Sequence, residues 1–367
     1  MVMSVRRILA GNNEAGRSAC LTDGNCPDVW LDESRPGYAS TMVWVSDRTP
    51  APVKDIRRAQ PIPQRLAPPD QGSMCRYIEV PPELGAPPRP GAVRAFFSAM
   101  NAPDAAVAGG RHPYMQKTSS LDFCYILEGD VTLVLDTADV ALTAGDIVIN
   151  NGAAHAWANQ STKRCVIILS QHGARSEVAS GFRQPTKVHP HGLGDSRKHI
   201  RRVVTGTDTA GQSCVVFDGA TPNVFPRSSG SYFYELWTVD ACPPVIVTGY
   251  DGGDASRPFT LSPPDLGLHW RASFLPATSA TAVNAIEKSE GHGTERRDGG
   301  PHPGMHRTPT LDYAICLEGE RVLVLEDEQT TLRKGDVVIQ LGGWHTWARG
   351  ADVSSMMSYV MIGGEFG

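Results

Sequence analysis

No stretch of the chain reaches 18 uninterrupted apolar residues, so nothing in it spells a membrane-spanning helix. The opening Met1-Val-Met-Ser-Val-Arg-Arg-Ile carries basic residues without the apolar run of a signal peptide, and the expectation is a cytoplasmic protein. Clustered basic residues are also missing: 34 Lys and Arg stand against 39 Asp and Glu, for a net charge of −5. That balance leaves no electrostatic footprint for nucleic acid or an anionic membrane surface. The eight cysteines contain no C-x-x-C pair, and Cys124 and Cys316 lie in apolar, strand-like runs where a thiol behaves as a small hydrophobe. A disulfide framework is therefore not expected. No nicotinamide or flavin fingerprint appears either, which fits an enzyme independent of those cofactors.

What the chain has in quantity is punctuation. Its 37 glycines and 28 prolines break it into short segments, which suits an all-β architecture far better than a helix bundle. A length of 367 residues suggests two domains. An internal repeat makes that explicit. Residues 112–157 align without a gap on 302–347, at an offset of 190, with 20 of 46 positions identical. Upstream, Val5-Arg-Arg-Ile8 matches Ile200-Arg-Arg-Val203, DGNCPDV from Asp23 matches DGATPNV from Asp218, and Leu66-Ala-Pro-Pro-Asp70 matches Leu261-Ser-Pro-Pro-Asp265, all at an offset of 195. The expected organisation is an N-terminal module over 1–175, a linker over 176–199 and a C-terminal module over 200–367. Short apolar runs such as Val131–Leu135 and Ile147–Ile149, separated by Gly-Asp turns, read as hairpin strands of a sandwich or barrel. The proline-rich stretches near 50–70 and 81–92 read as extended arms, since proline cannot donate to an interior ladder.

Residues 302–312 carry the chemistry. If this stretch is extended, period-two alternation puts His302, His306, Thr308, Thr310 and Asp312 on one face. His345 follows the turn Gly342-Gly343, where a neighbouring strand can present it to the same interior. Two imidazoles and one carboxylate form the facial-triad set of non-haem iron; the set also serves Zn, Mn or Ni, and leaves positions open for substrate.

The paired blocks resemble the two motifs of the cupin superfamily, and their duplication resembles a bicupin. The first motif, an acid and a glycine with six residues between them, is met by Asp122 to Gly129 and Asp312 to Gly319. The second, a glycine with a histidine ten or eleven residues on, is met by Gly145 to His155 and Gly335 to His345. The resemblance implies two tandem jelly-roll-like barrels and a metal held by His306, Asp312 and His345, with Fe(II) first and Zn, Mn or Ni as alternatives. The chain departs from the family in placing Thr308 where a second histidine is customary and Asp where Glu is. His302 is then either a fourth ligand or an acid or base facing substrate. In the first half the counterparts are His112, Gln116, Asp122 and His155, and glutamine is a poor ligand for such metals, so this second site is expected to be weak or structural.

Each of these readings has a plainer alternative. A polar barrel interior satisfied by hydrogen bonds accounts for the triad without metal. His189-Pro-His191 has ligand-like spacing but sits in the linker. Arg271 and its counterpart Arg76 either clamp a substrate anion or form structural salt bridges. Trp347 and Trp157 either wall a pocket or pack a core. Taken together, the sequence points to a metal-dependent bicupin enzyme, an iron oxygenase acting on a small aromatic or enol metabolite. A redox-neutral lyase, isomerase or decarboxylase, or a non-catalytic binding module, are the alternatives. A small molecule is the expected partner, and the reading admits a homodimer.

Overall fold

A computed structural model describes residues 2–53, 61–83, 85, 87–176, 200–227, 230–247, 249–277, 294–297, 300–302, 304–350 and 353–366. Nearly every element is a strand. The short apolar runs form ladders because each pairs its backbone groups with a neighbour while alternate side chains leave for opposite faces. Two long sheets carry the architecture. One runs in the spatial order 213–220, 201–207, 147–151, 120–128, 165–173, 73–80, 39–46, 29–31; the other runs 224–226, 232–239, 268–275, 355–365, 310–318, 337–341, 6–12, 18–25. Each is closed into a barrel by a three-stranded sheet, 130–134 with 139–143 and 156–158 in the first half, 320–324 with 329–333 and 346–349 in the second. The fold is all-β with two barrels, as the repeat implies.

The sheets do not follow the sequence halves. Arg6–Asn12 runs parallel to Val337–Leu341, and Arg201–Thr207 runs parallel to Ile147–Asn151. Each module's leading hairpin therefore completes the other module's sheet. Matching arginines pin the exchange: Arg6 bonds Asp23 of its own hairpin and reaches Asp336, while Arg201 bonds Asp218 and reaches Asp146.

Alternation sorts the side chains into cores. Along Thr310–Glu318, Leu311, Tyr313, Ile315 and Leu317 enter a core shared by the two barrels, whereas Ala314 and Cys316 turn into the C-terminal barrel. Phe123 stacks on Trp270 across the shared core at 4.8 Å, and the Tyr313 hydroxyl meets Ser73 Oγ at 2.8 Å. Tyr313 thus faces away from its neighbour Asp312, as period two requires.

The extended-arm reading needs correction in one place. Ala51–Pro52 does lie along Gly364–Glu365, but the chain becomes an α-helix over Pro90–Ala99. Pro90 sits in the first turn, where its missing N–H costs nothing, and the helix formers that follow outweigh the proline-rich run before it. Its Phe96 and Phe97 are buried among Tyr38, Tyr114 and Met100, filling the N-terminal barrel. All eight cysteines are free thiols. Among the described residues no helix is long and apolar enough to cross a membrane. The linker histidines His189 and His191 lie outside the described residues.

Candidate metal and substrate site in the C-terminal barrel

His306 and His345 are brought together by the backbone. A bridge joins them, each N–H bonding the other's carbonyl at 3.0 and 2.9 Å, and their ring centroids stand 4.6 Å apart. Both rings are oriented the same way. His306 Nδ1 lies 3.0 Å from the Gly304 carbonyl and His345 Nδ1 lies 2.9 Å from the Gly343 carbonyl. A carbonyl oxygen only accepts, so both Nδ1 atoms carry the proton and both Nε2 atoms hold a lone pair. Metal-bound histidines are commonly fixed by just such a bond to the far nitrogen. Gly304 leaves room here: a Cβ on it would meet Thr346 Oγ1 at 2.9 Å and make that side chain shift. Gly342 turns the chain ahead of His345 with a φ of +58°, a region glycine enters freely. Burial keeps both rings neutral: it lowers the pKa of His306 and, with the neighbouring His306 adding to it, takes His345 down to about 3.

Asp312 lines the same pocket, with Oδ1 buried and without a hydrogen-bond partner among the described residues. Burial raises its pKa to about 7, against a smaller opposing pull from the Thr310 hydroxyl. An orphaned buried carboxylate oxygen in the cavity that holds two imidazole lone pairs is the kind of donor set that suits a divalent cation. Among the described residues, however, no three His, Cys, Asp or Glu side chains stand close enough to share an ion. Two ligand candidates converge, and the third shares their cavity without closing the set.

The pocket holds about 960 Å³ of empty space, its open mouth included. His302, Thr308 and Trp347 line it too, so of the predicted face His302, His306, Thr308 and Asp312 reach this cavity, while Thr310 lines a separate hollow. His302 Nδ1 accepts from the Gly304 N–H at 3.1 Å, which in the neutral ring puts the proton on Nε2. In that form His302 donates to a bound molecule instead of ligating. Thr308 is tied to Thr310 at 2.7 Å, and Trp347 packs between His345 and Tyr359. Arg271 is occupied: Glu235 answers its charge, and the Thr260 and Leu261 carbonyls take its other nitrogens. That is the salt-bridge arrangement, with the guanidinium forming part of the wall. Sequence reasoning passed over Arg321, which also lines the cavity; its signal was available, since position 131 of the first repeat is valine.

The first barrel is built differently at the same positions. Gln116 Nε2 stands 3.3 Å from His155 Nε2, so the glutamine amide occupies the imidazole that would ligate. Asp122 accepts from Gln171 and Asn150. His112 turns to Glu83, with Nε2 and Oε2 3.0 Å apart. The remaining cavity is about 350 Å³, walled by Phe96, Tyr114 and Trp157.

The family model of the cupin domain matches residues 106–170. The phomopsin biosynthesis cluster protein D of Diaporthe leptostromiformis is 30% identical over 149 residues, 40% of this chain and 68% of that protein. Protein C' of the same cluster is 33% identical over 138 residues, 35% of this chain and 70% of its own length. A cupin-domain-containing oxidoreductase, virC of Hypocrea virens, is 46% identical over 44 residues, 12% of this chain and 23% of that protein. With the barrel motifs in both halves and these relatives beside them, the chain belongs to the cupin superfamily as a protein of two tandem barrels.

Proposed function

We propose that the C-terminal barrel holds one metal ion, Fe(II), on the His306 and His345 pair, with Asp312 moving in as third ligand when the cation binds, and that the protein oxygenates a small aromatic or enol-bearing metabolite. The observation that carries this is the histidine pair: two neutral rings 4.6 Å apart, each with its Nδ1 proton committed to a backbone carbonyl. The bared Oδ1 of Asp312 supports it as third ligand. The similarity to an oxidoreductase of the family favours redox chemistry over a purely structural ion. Bound there, Fe(II) would supply a site at which substrate oxygens and O₂ meet.

The chain's own residues do the rest. Phe233, Phe274, Met361 and Trp347 give the pocket apolar walls that exclude water from an aromatic ring. His302 Nε2–H is placed to donate to a substrate oxygen. Asp312, with a pKa near neutrality while no cation compensates it, loses its proton when a cation binds.

Metal analysis of the purified protein combined with oxygen-electrode screening of catechols, hydroxybenzoates and enols tests the reading. Iron with oxygen uptake is the expected result. Zinc with anaerobic turnover would instead point to a lyase or isomerase, and an intact metal-free protein to a binding module.

A further inference from the structure

In the C-terminal cavity wall, Arg321 is a buried guanidinium whose hydrogen bonds among the described residues go to neutral oxygens. Its side chain is only 3% exposed. Nε donates to Ser355 Oγ at 3.1 Å, and Nη2 reaches the Ser273 and Ser355 carbonyls, both at 3.4 Å. These are neutral oxygens, two of them distant. No carboxylate among the described residues pairs with it, whereas Arg271 in the same wall has Glu235. Directly across its ladder stands Arg349, a second cation. A guanidinium buried without a counter-charge is costly, and a fork with an unused face is suited to a bidentate anion.

The duplicated barrel supplies an internal control. Arg321, Ser273, Ser355 and Tyr359 correspond to Val131, Ile78, Cys165 and Leu169, at the repeat offsets of 190 and 195. All four of the counterparts are buried in the apolar interior of the first barrel. The same strands therefore close without an arginine, and the fold does not require one. Four apolar positions have become a charged and hydroxylated cluster only in the barrel that keeps its histidine pair and its open cavity. Tyr359 bonds Ser273 and lines the pocket, which carries the polar cluster to the cavity surface.

We propose that Arg321, aimed by Ser355 and Ser273 and flanked by Tyr359, is an anion subsite that takes the carboxylate of a small substrate whose apolar body lies against Trp347 and Phe274. This deepens the reading of the same cavity as an active site. The ladder places Arg349, opposite Arg321, four residues beyond His345, or roughly 13 Å of strand. The cavity that Arg321 shares with both imidazoles is also lined by Trp347 and Phe274, an apolar surface for one small body. The substrate class is then a monocarboxylic acid with an aromatic or short apolar body.

The test uses the full-length protein stripped with chelator and two probes, 4-fluorobenzoate and its neutral analogue 4-fluorobenzamide, titrated by fluorine NMR. Wild type should bind the acid and prefer it to the amide. Arg321→Val, the residue of the sister barrel, and Arg321→Met, which keeps the apolar stem, should each weaken acid binding roughly tenfold or more, the weight of one charge-assisted pair. The amide should be unaffected. Either variant that melts like wild type and binds the acid as well overturns the subsite, as does a wild type that takes neither probe or does not distinguish them. Because no metal is present in the assay, the two readings fail separately. A protein that never takes up metal yet binds the acid through Arg321 ends the metal proposal and leaves the subsite standing. Iron uptake with acid binding indifferent to Arg321 does the reverse.

Discussion

The two barrels differ at single residues whose consequences are large. His306→Ala removes one of two converging lone pairs and should lower metal content and turnover at least about a hundredfold, since even outer-shell changes cost tenfold or more. His155→Ala, whose ring is already engaged by Gln116, should spare both. Metal quantification on the two purified variants decides it, and equal losses would refute a single working site. Asp312 sets a pH dependence of definite sign. Its folded pKa, about 7, lies above the unfolded value, so its contribution to stability is whole below roughly pH 4 and is lost as pH rises toward 7. His345 runs the other way. Depressed to about 3, its contribution is whole above roughly pH 6.5 and is lost as pH falls toward 3. Metal-free wild type should therefore lose stability between pH 4 and 7 relative to Asp312→Asn, by on the order of a few kcal/mol, given about 1.4 kcal/mol per unit. Thermal melts of both proteins across that range, with chelator, measure the difference; parallel curves would mean that the carboxyl is not desolvated. Metal addition should erase much of the gap, because a bound cation stabilises the ionised form.

At the scale of elements, legibility was uneven, and the reasons are physical. Period two told correctly that His306, Thr308 and Asp312 share the cavity, because side-chain direction in an extended chain is fixed by backbone geometry alone; His302 reaches it from a turn, closed by the Met305 N–H on the His302 carbonyl, and Thr310 lines a different hollow. The helix over Pro90–Ala99 was hidden behind its own prolines, although Pro90 marks its first turn. The exchange of leading hairpins was invisible for a different reason. Arg6 and Arg201 face equivalent aspartates, Asp336 and Asp146, so either hairpin fits either sheet by local chemistry. Only the tertiary structure selects the partner. Arg6→Ala should cost about 1 kcal/mol or less, because its ion pairs are partly solvated. Deleting residues 1–26 should do far more, since it bares the edge of Val337–Leu341, where Val338 and Ile339 are fully buried. The expected outcome is aggregation or loss of the folded C-terminal barrel, read by light scattering and circular dichroism. A monodisperse, fully folded deletion would mean that the hairpin contributes little.

For the whole molecule, duplication with exchange means that cutting the chain between repeats does not cut it between structural units. A fragment of residues 200–367 would keep the hairpin 201–220, which belongs to the other sheet, and would lack 6–25, which completes its own. Two copies of that fragment can solve the problem for each other. Residues 201–207 of one would lie against 337–341 of its partner in the register that 6–12 uses now, with Arg201 reaching Asp336 as Arg6 does. The register also places Thr205 opposite Gln340, where Ala10 stands in the intact chain. The Gln340 Oε1 atom has no hydrogen-bond partner among the described residues, and the threonine hydroxyl would provide one, as Thr205 already bonds Asn150 at 2.6 Å. The fragment should therefore assemble as a hairpin-exchanged homodimer, the same geometry realised between two chains. Light scattering after size exclusion should give twice the fragment mass, and Arg201→Ala with Thr205→Ala should shift it toward monomer or aggregate. A folded monomer at micromolar concentration would show that each barrel closes on its own strands, and the exchange would then be incidental to stability.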